Sequence, residues 1–325
     1  MMQRSLRPSG NSAPILLYGP LDARFENRPF PVLNDPRDVV VRIIKVHFWL
    51  NGGIRTHVSE AQPLTMGHEA SGTIRAVGSA VTSHVPGNRV AIEPGHPCRR
   101  CDRCKIGHYN LCPDMRFAAD PPKRHGTLTK YSMLPDDVSV HAVRLADVKP
   151  GNIVIVSGAG TVGLFCAAVA REFGASTFLS VDIIERRVRF AQDFAGSIGK
   201  TVIPDPSLSS EENAKRLLET QVLGDGADIT AVFSLQMGGS YVQAGMGKRK
   251  VEFPISELCE REITAKCCFR YGAGYFDLGI HLVSQGKVQL SGLVRNIFPF
   301  ELATGAWETA KRGEGTKTLI EGPKP

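Results

Sequence analysis

Four cysteines lie close together in the sequence and have the spacing of a metal site. Within PCRRCDRCKIGHYNLCP they follow a C-x2-C-x2-C-x7-C pattern, as Cys98, Cys101, Cys104 and Cys112. Structural zinc is bound tetrahedrally by four thiolates at about 2.3 Å, and such a filled shell leaves no open position for chemistry. The pattern therefore predicts a structural zinc ion in a lobe of about residues 96–114.

Two other interpretations of this cluster stay open from the sequence. Free or disulfide-bonded cysteines are one, although disulfides are rare in a reducing compartment. A DNA-binding zinc module is the other, favoured by the arginines between the cysteines, but it would not explain the long α/β remainder of the chain. The other four cysteines stand in apolar segments typical of a protein core: Cys166, Cys259, Cys267 and Cys268.

A glycine-rich turn in the second half of the chain has the spacing of a phosphate-binding loop. In IVIVSGAGTVGLFCAAVA, a β-branched run meets a helix-compatible run at Gly158, Gly160 and Gly163, a G-x-G-x-x-G pattern. Small residues let the backbone turn tightly and approach a pyrophosphate at the positive end of the helix. A second β-rich run ends in Asp182, about where a carboxylate would bind the ribose hydroxyls. Together these features predict a dinucleotide site.

The residues around Asp182 favour NAD over NADP. The carboxylate would repel a 2′-phosphate, and the two isoleucines that follow it offer no group that binds one. Arg186 and Arg187 favour NADP instead, because a guanidinium can bind the 2′-phosphate. We therefore predict NAD as the cofactor.

These motifs imply an α/β fold in two domains. A chain of 325 residues is too long for one ordinary core. After the glycine turn, helix-like and strand-like segments alternate, which is typical of a doubly wound parallel sheet. Only residues 234–238 separate the strand-like segments ADITAVF and GSYVQAG, whereas a parallel crossover needs a dozen or more residues. Either these two strands are antiparallel, or a helix is missing.

The composition is that of an ordinary globular protein. Hydrophobic residues make up 42% and charged residues 22%, which indicates a folded chain. The formal charge of +7 is spread along the chain, so it favours anionic substrates or cofactors as much as nucleic acid. Glycines interrupt the longest uncharged run, 153–170, so we expect no membrane span. The N-terminal residues lack the apolar stretch of a secretory signal, and a cytoplasmic location is expected.

The stretch from GHEASGTIRAVG to NLCPDMRFAADPP resembles the fungal xylitol and sorbitol dehydrogenases of the zinc-containing medium-chain dehydrogenase/reductase family. GAGTVGLFCAAVA, YVQAGMGK and FRYGAG extend the resemblance over most of the chain. It implies a GroES-like, β-rich catalytic domain (1–148), a Rossmann domain for NAD (149–274), and a C-terminal segment that completes the Rossmann domain and returns to the catalytic domain (275–325). The implied reaction is zinc-dependent oxidation of a polyol or secondary alcohol to a ketone, with hydride transfer to NAD. Homo-oligomers are also implied, without nucleic-acid or membrane partners.

The catalytic zinc site of this family is only partly present in the sequence. Relatives bind that zinc through a cysteine of an early GxCGSD motif and the His-Glu pair of GHE, with help from a later glutamate of an EPLA motif. Here GHE gives His68 and Glu69, whereas the segments with the other two motifs are absent. A third segment is absent where SLQMGG replaces a strand end and a helix. Skipped exons, a misjudged gene model and a degenerate enzyme would all give this pattern.

The resemblance assigns roles to further residues. His47 follows the missing cysteine motif and is a candidate proton relay or replacement zinc ligand, although a lone histidine is more often packed or solvated. Phe48 stands where relatives often carry tyrosine, which favours a less polar substrate. The residues expected to contact the substrate are Phe48, Phe117, Arg270 and Tyr271. Those expected to contact NAD, besides the glycines of the turn and Asp182, are Val162, Arg187, Gly245, Gly247 and Arg270.

The sequence allows three interpretations of the function. The first is an active polyol or secondary-alcohol dehydrogenase, including one recruited to fungal secondary metabolism with a non-sugar substrate. The second is a remnant without turnover that keeps the structural zinc and NAD binding, which the missing cysteine motif favours. The third is a zinc-independent reductase, which Asp182 and the four-cysteine lobe count against. We favour the first.

Overall fold

The chain forms two compact units in its computed structural model. The first unit combines residues 1–136 with 291–325, and the second consists of residues 137–290. The residues that the structure describes are 14–19, 22–26, 28–29, 31, 33, 36, 38–47, 58–120, 125–132, 143–196, 199–230, 234–245, 250–290, 292–312, 314–315 and 317–324.

The first unit is rich in β-structure. A small sheet has the strand order β2-β1-β4, a larger one has the order β16-β17-β3-β5-β6 with β9 beside β3, and β7 pairs with β8. Its strands are β1 (Ile15–Gly19), β2 (Asp22–Phe25), β3 (Val39–His47), β4 (Leu64–Thr65), β5 (Glu69–Val77), β6 (Arg89–Ile92), β7 (Gly95–His96), β8 (Arg116–Phe117), β9 (Tyr131–Ser132), β16 (Val294–Phe298) and β17 (Lys317–Glu321).

The central strands of the larger sheet bring three distant segments together. The run VVVRIIKVH of β3 is rich in β-branched residues, which favour strands. It pairs antiparallel with β5, so that His47 lies opposite Glu69, and β17 pairs with β3 on its other side. Gly72 permits the close approach of β5, because a Cβ atom there would lie 2.3 Å from the carbonyl oxygen of Arg42. The C-terminal end of β3 therefore lies between the N-terminal end of β5 and the C-terminal end of β17.

The second unit contains one sheet of six parallel strands. In chain order these are β10 (Ile153–Ser157), β11 (Thr177–Val181), β12 (Gly199–Val202), β13 (Ala227–Ile229), β14 (Leu235–Gln243) and β15 (Thr264–Cys267). Their spatial order is β12-β11-β10-β13-β14-β15, and every neighbouring pair is parallel. This is the order of a doubly wound dinucleotide-binding sheet, in which ligands bind where the order reverses, here between β10 and β13. The predicted doubly wound fold is confirmed.

The helices in the described part of the chain are short, and none is long and apolar enough to cross a membrane. The uncharged run 153–170 forms a strand, a turn and a helix, as expected. Helices α1 and α7 belong to the first unit and the others to the second: α1 (Asp102–Lys105), α2 (Thr161–Glu172), α3 (Glu185–Ala195), α4 (Ser210–Gln221), α5 (Ile255–Glu260), α6 (Tyr275–Ser284) and α7 (Ala303–Lys311).

The two faces of the parallel sheet pack against different helices. Alternate residues of β10 and β11 point to opposite faces, as the pleat of a strand requires. Val154 and Phe178 belong to the core around α2, whereas Ile155 and Leu179 pack with Leu217 of α4. A capping box, in which the side chains of Ser209 and Glu212 bond each other's backbone N–H groups, begins α4.

The link between β13 and β14 is unusually short for parallel strands. Residues 230–234 alone join them, and Leu235 returns to lie beside Ala227. The alternative that these two strands pair antiparallel is wrong, because they are parallel. The parallel pairing agrees with the other alternative, in which a crossover helix is missing. Residues 231–233 of this link lie outside the described residues.

Candidate dinucleotide and metal sites

The glycine turn lies between β10 and α2, and two of its glycines are needed for the fold. Gly158 has a φ of 109°, a conformation that favours glycine. A Cβ atom at Gly163 would lie 1.8 Å from the carbonyl oxygen of Gly158, so only glycine lets the helix approach the turn. Gly160 has no such constraint, since a Cβ atom there would meet nothing within 4 Å. The space beside Gly160 is therefore open at the N-terminus of α2, where anions bind.

Asp182 connects the end of β11 to the glycine turn. Its carboxylate accepts hydrogen bonds from the N–H of Ala159 at 2.8 Å and from the N–H of Ile184 at 2.9 Å. The residue is only 8% exposed, and Nη1 of Arg187 lies 3.6 Å from its carboxylate. The arrangement fixes the carboxylate beside the turn, as a ribose-binding acid requires.

The other residues assigned to NAD are found in several places in the second unit. Val162 lies in the first turn of α2 and is exposed. Gly245 follows β14, and its carbonyl oxygen accepts a hydrogen bond from Gln243, whereas Gly247 lies outside the described residues. Arg270 follows β15 with a φ of 60°, and its guanidinium stacks on Phe269 at 4.7 Å.

The four clustered cysteines converge on one point. Their Sγ atoms all lie within 4.8 Å of one another, and Cys101 Sγ lies 3.5 Å from Cys104 Sγ and 3.9 Å from Cys112 Sγ. Thiolates bound tetrahedrally at 2.3 Å from one ion lie about 3.8 Å apart, so these distances suit zinc. The positive φ of Gly107, 84°, lets the chain turn between the third and fourth cysteines.

Backbone groups prepare one of these thiols for metal binding. The N–H groups of Arg100 and Cys101 lower the pKa of the Cys98 thiol to about 6. Burial raises the pKa of the neighbouring Cys104 thiol to about 12. Because zinc binds thiolates, the lowered pKa of Cys98 favours the form of this side chain that binds the ion.

His68 and Glu69 lie at the start of β5 in the first unit. The imidazole of His68 is half-buried, and its ring centroid lies 5.6 Å from that of Phe117. The Glu69 carboxylate accepts a hydrogen bond from the Nζ of Lys317, the first residue of β17. Burial lowers the pKa of Lys317 to about 8. A fixed ammonium group therefore stands beside the carboxylate that the sequence suggested as a metal ligand.

The remaining predicted site residues are described to different extents. The backbone of His47 pairs with Glu69 at the end of β3, but its side chain and the whole of Phe48 lie outside the described residues. Phe117 is half-buried on β8, next to His68. Tyr271, in the second unit, is buried with 2% exposure.

A second zinc site does not fit the residues that the structure describes. Among them, the four-cysteine cluster is the only group of three or more histidine, cysteine or acidic ligand atoms close enough to hold an ion. The first cysteine of the whole sequence is Cys98, so no earlier thiolate is available beside His68 and Glu69. The pairing of Glu69 with Lys317 reduces its availability further. One zinc ion per chain is what these residues can hold.

Similarity to known proteins supports the fold and decides the family. The profile of the Alcohol dehydrogenase GroES-like domain matches residues 36–147. The probable D-xylulose reductase A of Aspergillus terreus is 42% identical over 355 residues, covering 97% of this chain and 99% of that protein. The D-xylulose reductase A of Aspergillus oryzae is 42% identical over 348 residues, covering 94% and 96%.

The chain belongs to the zinc-containing medium-chain dehydrogenase/reductase family. Solved structures agree with the medium-chain fold. An Escherichia coli oxidoreductase/dehydrogenase of unknown specificity superimposes with a TM-score of 0.82 at 28% identity, over 96% of this chain and 99% of that chain. Galactitol-1-phosphate dehydrogenase from Escherichia coli gives a TM-score of 0.79 at 22% identity, over 96% and 100%, which supports the fold alone. The predicted combination of a GroES-like domain with a Rossmann domain is confirmed.

The medium-chain relatives contain residues without a counterpart in this chain. The alignment with the Aspergillus terreus protein spans 355 residues, more than the 325 of the whole chain. This agrees with the interpretation that internal segments of the family are absent here, as does the five-residue link between β13 and β14.

Sequence reasoning missed Lys317 as a member of the candidate site. No local pattern marks it, because its partner Glu69 lies 248 residues earlier in the chain. The available signal was weak: a lysine that begins the alternating strand KTLIE near the C-terminus.

Proposed function

We propose that the chain is an NAD-dependent dehydrogenase that transfers hydride between a polyol or secondary alcohol and the nicotinamide. The observation that carries this proposal is the glycine turn fixed to Asp182 at the reversal point of the parallel sheet. Relatives named D-xylulose reductases, at 42% identity over nearly the whole chain, support a polyol as the alcohol and a ketose as the product.

The second unit would hold the cofactor through residues with separate roles. The open space beside Gly160 and the N–H groups at the start of α2 suit the pyrophosphate. Asp182 would accept hydrogen bonds from the adenosine ribose hydroxyls, and its charge disfavours a 2′-phosphate. We propose further NAD contacts from residues on the turn and at the ends of the strands, namely Gly158, Val162, Gly163, Arg187, Gly245, Gly247 and Arg270. Bound NAD supplies the hydride acceptor.

The first unit offers polar groups suited to the alcohol. His68 has an imidazole that can take a proton, and the ion pair of Glu69 with Lys317 can orient hydroxyl groups. We keep Phe48, Phe117, Arg270 and Tyr271 as proposed substrate contacts, and His47 as a proposed relay. The assignment of His47, His68 and Glu69 to a catalytic zinc stays a prediction, and no step here depends on it.

Zinc enters the proposal through the cysteine cluster. Cys98, Cys101, Cys104 and Cys112 fit one tetrahedral ion with a filled shell. Such an ion would hold the lobe around α1 in shape, because this short segment has few buried apolar side chains of its own. We propose that this zinc is structural.

A second candidate function is NAD and zinc binding without turnover. It is favoured by one observation, the absence of a second metal site among the described residues. Under this alternative the chain binds NAD with ordinary affinity, but no alcohol reduces the bound cofactor.

We propose a homo-oligomer as the working form, without nucleic-acid or membrane partners, and a cytoplasmic location. Apolar side chains alternate along the segment before α5, where Val251 is 66% and Phe253 is 37% exposed. An exposed apolar row of this kind is usually covered in the working assembly. The proposed division of the chain stays at 1–148, 149–274 and 275–325, with the last segment returning to the catalytic domain.

The test of the proposed function is NAD-linked oxidation of xylitol, sorbitol and a simple secondary alcohol, followed at 340 nm. Asp182→Asn removes the negative charge and one of the two acceptor oxygens that bind the turn and would bind the ribose hydroxyls, so its KM for NAD should rise about tenfold or more. Asp193→Asn, on the exposed side of α3, is the matched control and should behave as the native chain. Equal turnover and an equal KM for NAD in the native chain and in Asp182→Asn would contradict the cofactor assignment. NAD binding without any turnover in the native chain would favour the second candidate function.

A further inference from the structure

The ion pair between Lys317 and Glu69 involves a residue with which the medium-chain relatives bind a metal ion. Relatives use the His-Glu pair of GHE as zinc ligands, and here that pair is His68 and Glu69. Among the residues that the structure describes, no third ligand atom converges on this pair. The Nζ of Lys317 donates a hydrogen bond to the Glu69 carboxylate instead. The chain therefore places an ammonium group beside an expected metal ligand.

The larger sheet of the first unit fixes Lys317 at this position. Lys317 is the first residue of β17, which is paired on both sides, parallel with β16 and antiparallel with β3. Since β3 also pairs with β5, only the end of β3 separates Lys317 from Glu69. The two side chains are 20% and 25% exposed, so water screens their charges only in part. The ammonium group is thus a fixed charge of the sheet.

A second carboxylate comes next in the same register. Strand β5 pairs antiparallel with β6, with Ala70 opposite Ile92, so Glu93 follows beside Glu69. Opposite residues of an antiparallel pair direct their side chains to one face of the sheet. One carboxylate oxygen of Glu93 is almost completely buried. Because neighbouring carboxylates repel each other, this end of the sheet favours a cation, and Lys317 supplies one at Glu69.

The ammonium group and a divalent metal ion compete for this carboxylate. A metal ion bound to Glu69 would lie within a few ångströms of the Lys317 Nζ, since both would contact the same group. Like charges at such a separation repel each other strongly where water is largely excluded. Lysine has a further advantage because it belongs to the chain, so its effective concentration at Glu69 is high, whereas a metal ion must bind from solution.

We propose that Lys317 replaces the catalytic metal ion of the family: its ammonium group occupies Glu69, excludes divalent cations and leaves the centre around His68 free of metal. The positive charge of this centre then comes from the chain itself. Removal of that charge would create a cation site from the imidazole of His68 and the carboxylates of Glu69 and Glu93. Such nitrogen and oxygen ligands suit Zn²⁺ and Co²⁺. The inference concerns metal occupancy and does not depend on turnover.

The test is Co²⁺ binding to the full chain, with the zinc of the cysteine cluster retained and counted by elemental analysis. Isothermal titration calorimetry gives the affinity, and the visible absorption of Co²⁺ reports on its ligands. Lys317→Met should bind one Co²⁺ ion per chain at least about tenfold more tightly than the native chain does. Lys317→Gln keeps a hydrogen-bond donor for Glu69 without the charge, so it should retain the fold and gain the same site. Equal Co²⁺ binding by the native chain and both variants would overturn the proposal.

Further variants separate the charge of Lys317 from general effects on the fold. Lys317→Arg keeps the charge and should bind no more Co²⁺ than the native chain. Lys317→Gln combined with His68→Ala, or with Glu93→Gln, should lose the gained site. Lys45→Met removes the lysine that pairs with Glu321 on the neighbouring strands and is the matched control, which should behave as the native chain. A gained site in Lys317→Arg or in Lys45→Met would contradict the proposal.

Discussion

Lys317 Nζ donates a hydrogen bond to the carboxylate of Glu69 and so connects the first residue of β17 to the first residue of β5. Both side chains are mostly buried, at 20% and 25% exposure. The carboxylate next to His68 is therefore neutralised by a cation that belongs to the chain itself. This pair holds the C-terminal strand against the segment from which the family builds its catalytic centre.

Removal of the lysine should destabilise the first unit. Lys317→Met leaves the half-buried Glu69 carboxylate without its partner, at a cost of about 2 kcal/mol for a charge-assisted hydrogen bond. Lys45→Met is the matched control on β3, since its ion pair with Glu321 is more exposed and should contribute less than about 1 kcal/mol. Urea unfolding followed by tryptophan fluorescence reports on the first unit, which contains both tryptophans of the sequence. An equal loss of unfolding free energy in the two variants would show that the Lys317–Glu69 pair stabilises the first unit no more than the exposed Lys45–Glu321 pair.

The glycine turn offers a pair of substitutions with opposite effects. Gly163→Ala places a Cβ atom 1.8 Å from the carbonyl oxygen of Gly158, so the helix must shift and the thermal midpoint should fall by several degrees. Gly160→Ala meets no atom within 4 Å and should change stability by less than about 1 kcal/mol. Its methyl group nevertheless fills the space left for the pyrophosphate, so NAD affinity should fall about tenfold in calorimetry. Native affinity in Gly160→Ala would contradict the assigned position of the cofactor.

The cysteine cluster should account for all the zinc of the chain. Cys104→Ser removes one of four ligands, and elemental analysis should then show a loss from one zinc ion per chain to almost none. A lower thermal midpoint should accompany this loss, because the folded lobe depends on the ion. Cys259→Ser changes a cysteine outside the cluster and should retain the metal. This cysteine and Cys267 are exposed, so the core position predicted for them is wrong, whereas Cys166 and Cys268 are buried as predicted. Two zinc ions in the native chain would mean that residues beyond the described ones complete a second site.

Acid should weaken the contact between His125 and β4. The N–H of Thr65 donates to Nδ1 of His125 at 3.1 Å, which requires a neutral imidazole. Burial, assisted by the charge of Arg28, lowers the pKa of His125 below its ordinary value of 6.5. The unfolded chain therefore binds the proton more readily, so stability is present above pH 6.5 and is lost as the pH falls toward the lower folded pKa. His125→Asn keeps an acceptor without the titration, and its unfolding midpoint should vary less between pH 7 and pH 5 than that of the native chain. If the unfolding midpoint of His125→Asn varied with pH as much as that of the native chain, His125 would not be the cause of the loss of stability in acid.

The features predicted well from the sequence are those whose residues are close in the chain. The strand, turn, helix and acid of the dinucleotide site span 153–182, and the four cysteines span 98–112. Local patterns specify such motifs because backbone geometry and ligand spacing act over a few residues. The crossover rule was informative as well, since it identified the link between β13 and β14 as too short for an ordinary parallel connection.

Contacts between distant segments were beyond sequence reasoning. Lys317 meets Glu69 only because β17 pairs with β3, which in turn pairs with β5. The pairing of β13 with β14 is a second case, because neither strand's own pattern decides between a parallel and an antiparallel arrangement. The sequence therefore left a parallel and an antiparallel pairing of β13 and β14 open, and the structure has the parallel one.

The most direct test of the central claim is transfer of a labelled hydride. The purified chain is incubated with NAD and with xylitol or sorbitol deuterated at every carbon, and the nicotinamide is then analysed by mass spectrometry. A dehydrogenase of this kind should give deuterated NADH in a one-to-one ratio with the ketose, and Asp182→Asn should form both more slowly. Bound NAD without any deuterated product, from either polyol or a deuterated secondary alcohol, would contradict hydride transfer and leave a protein that binds NAD and zinc without turnover.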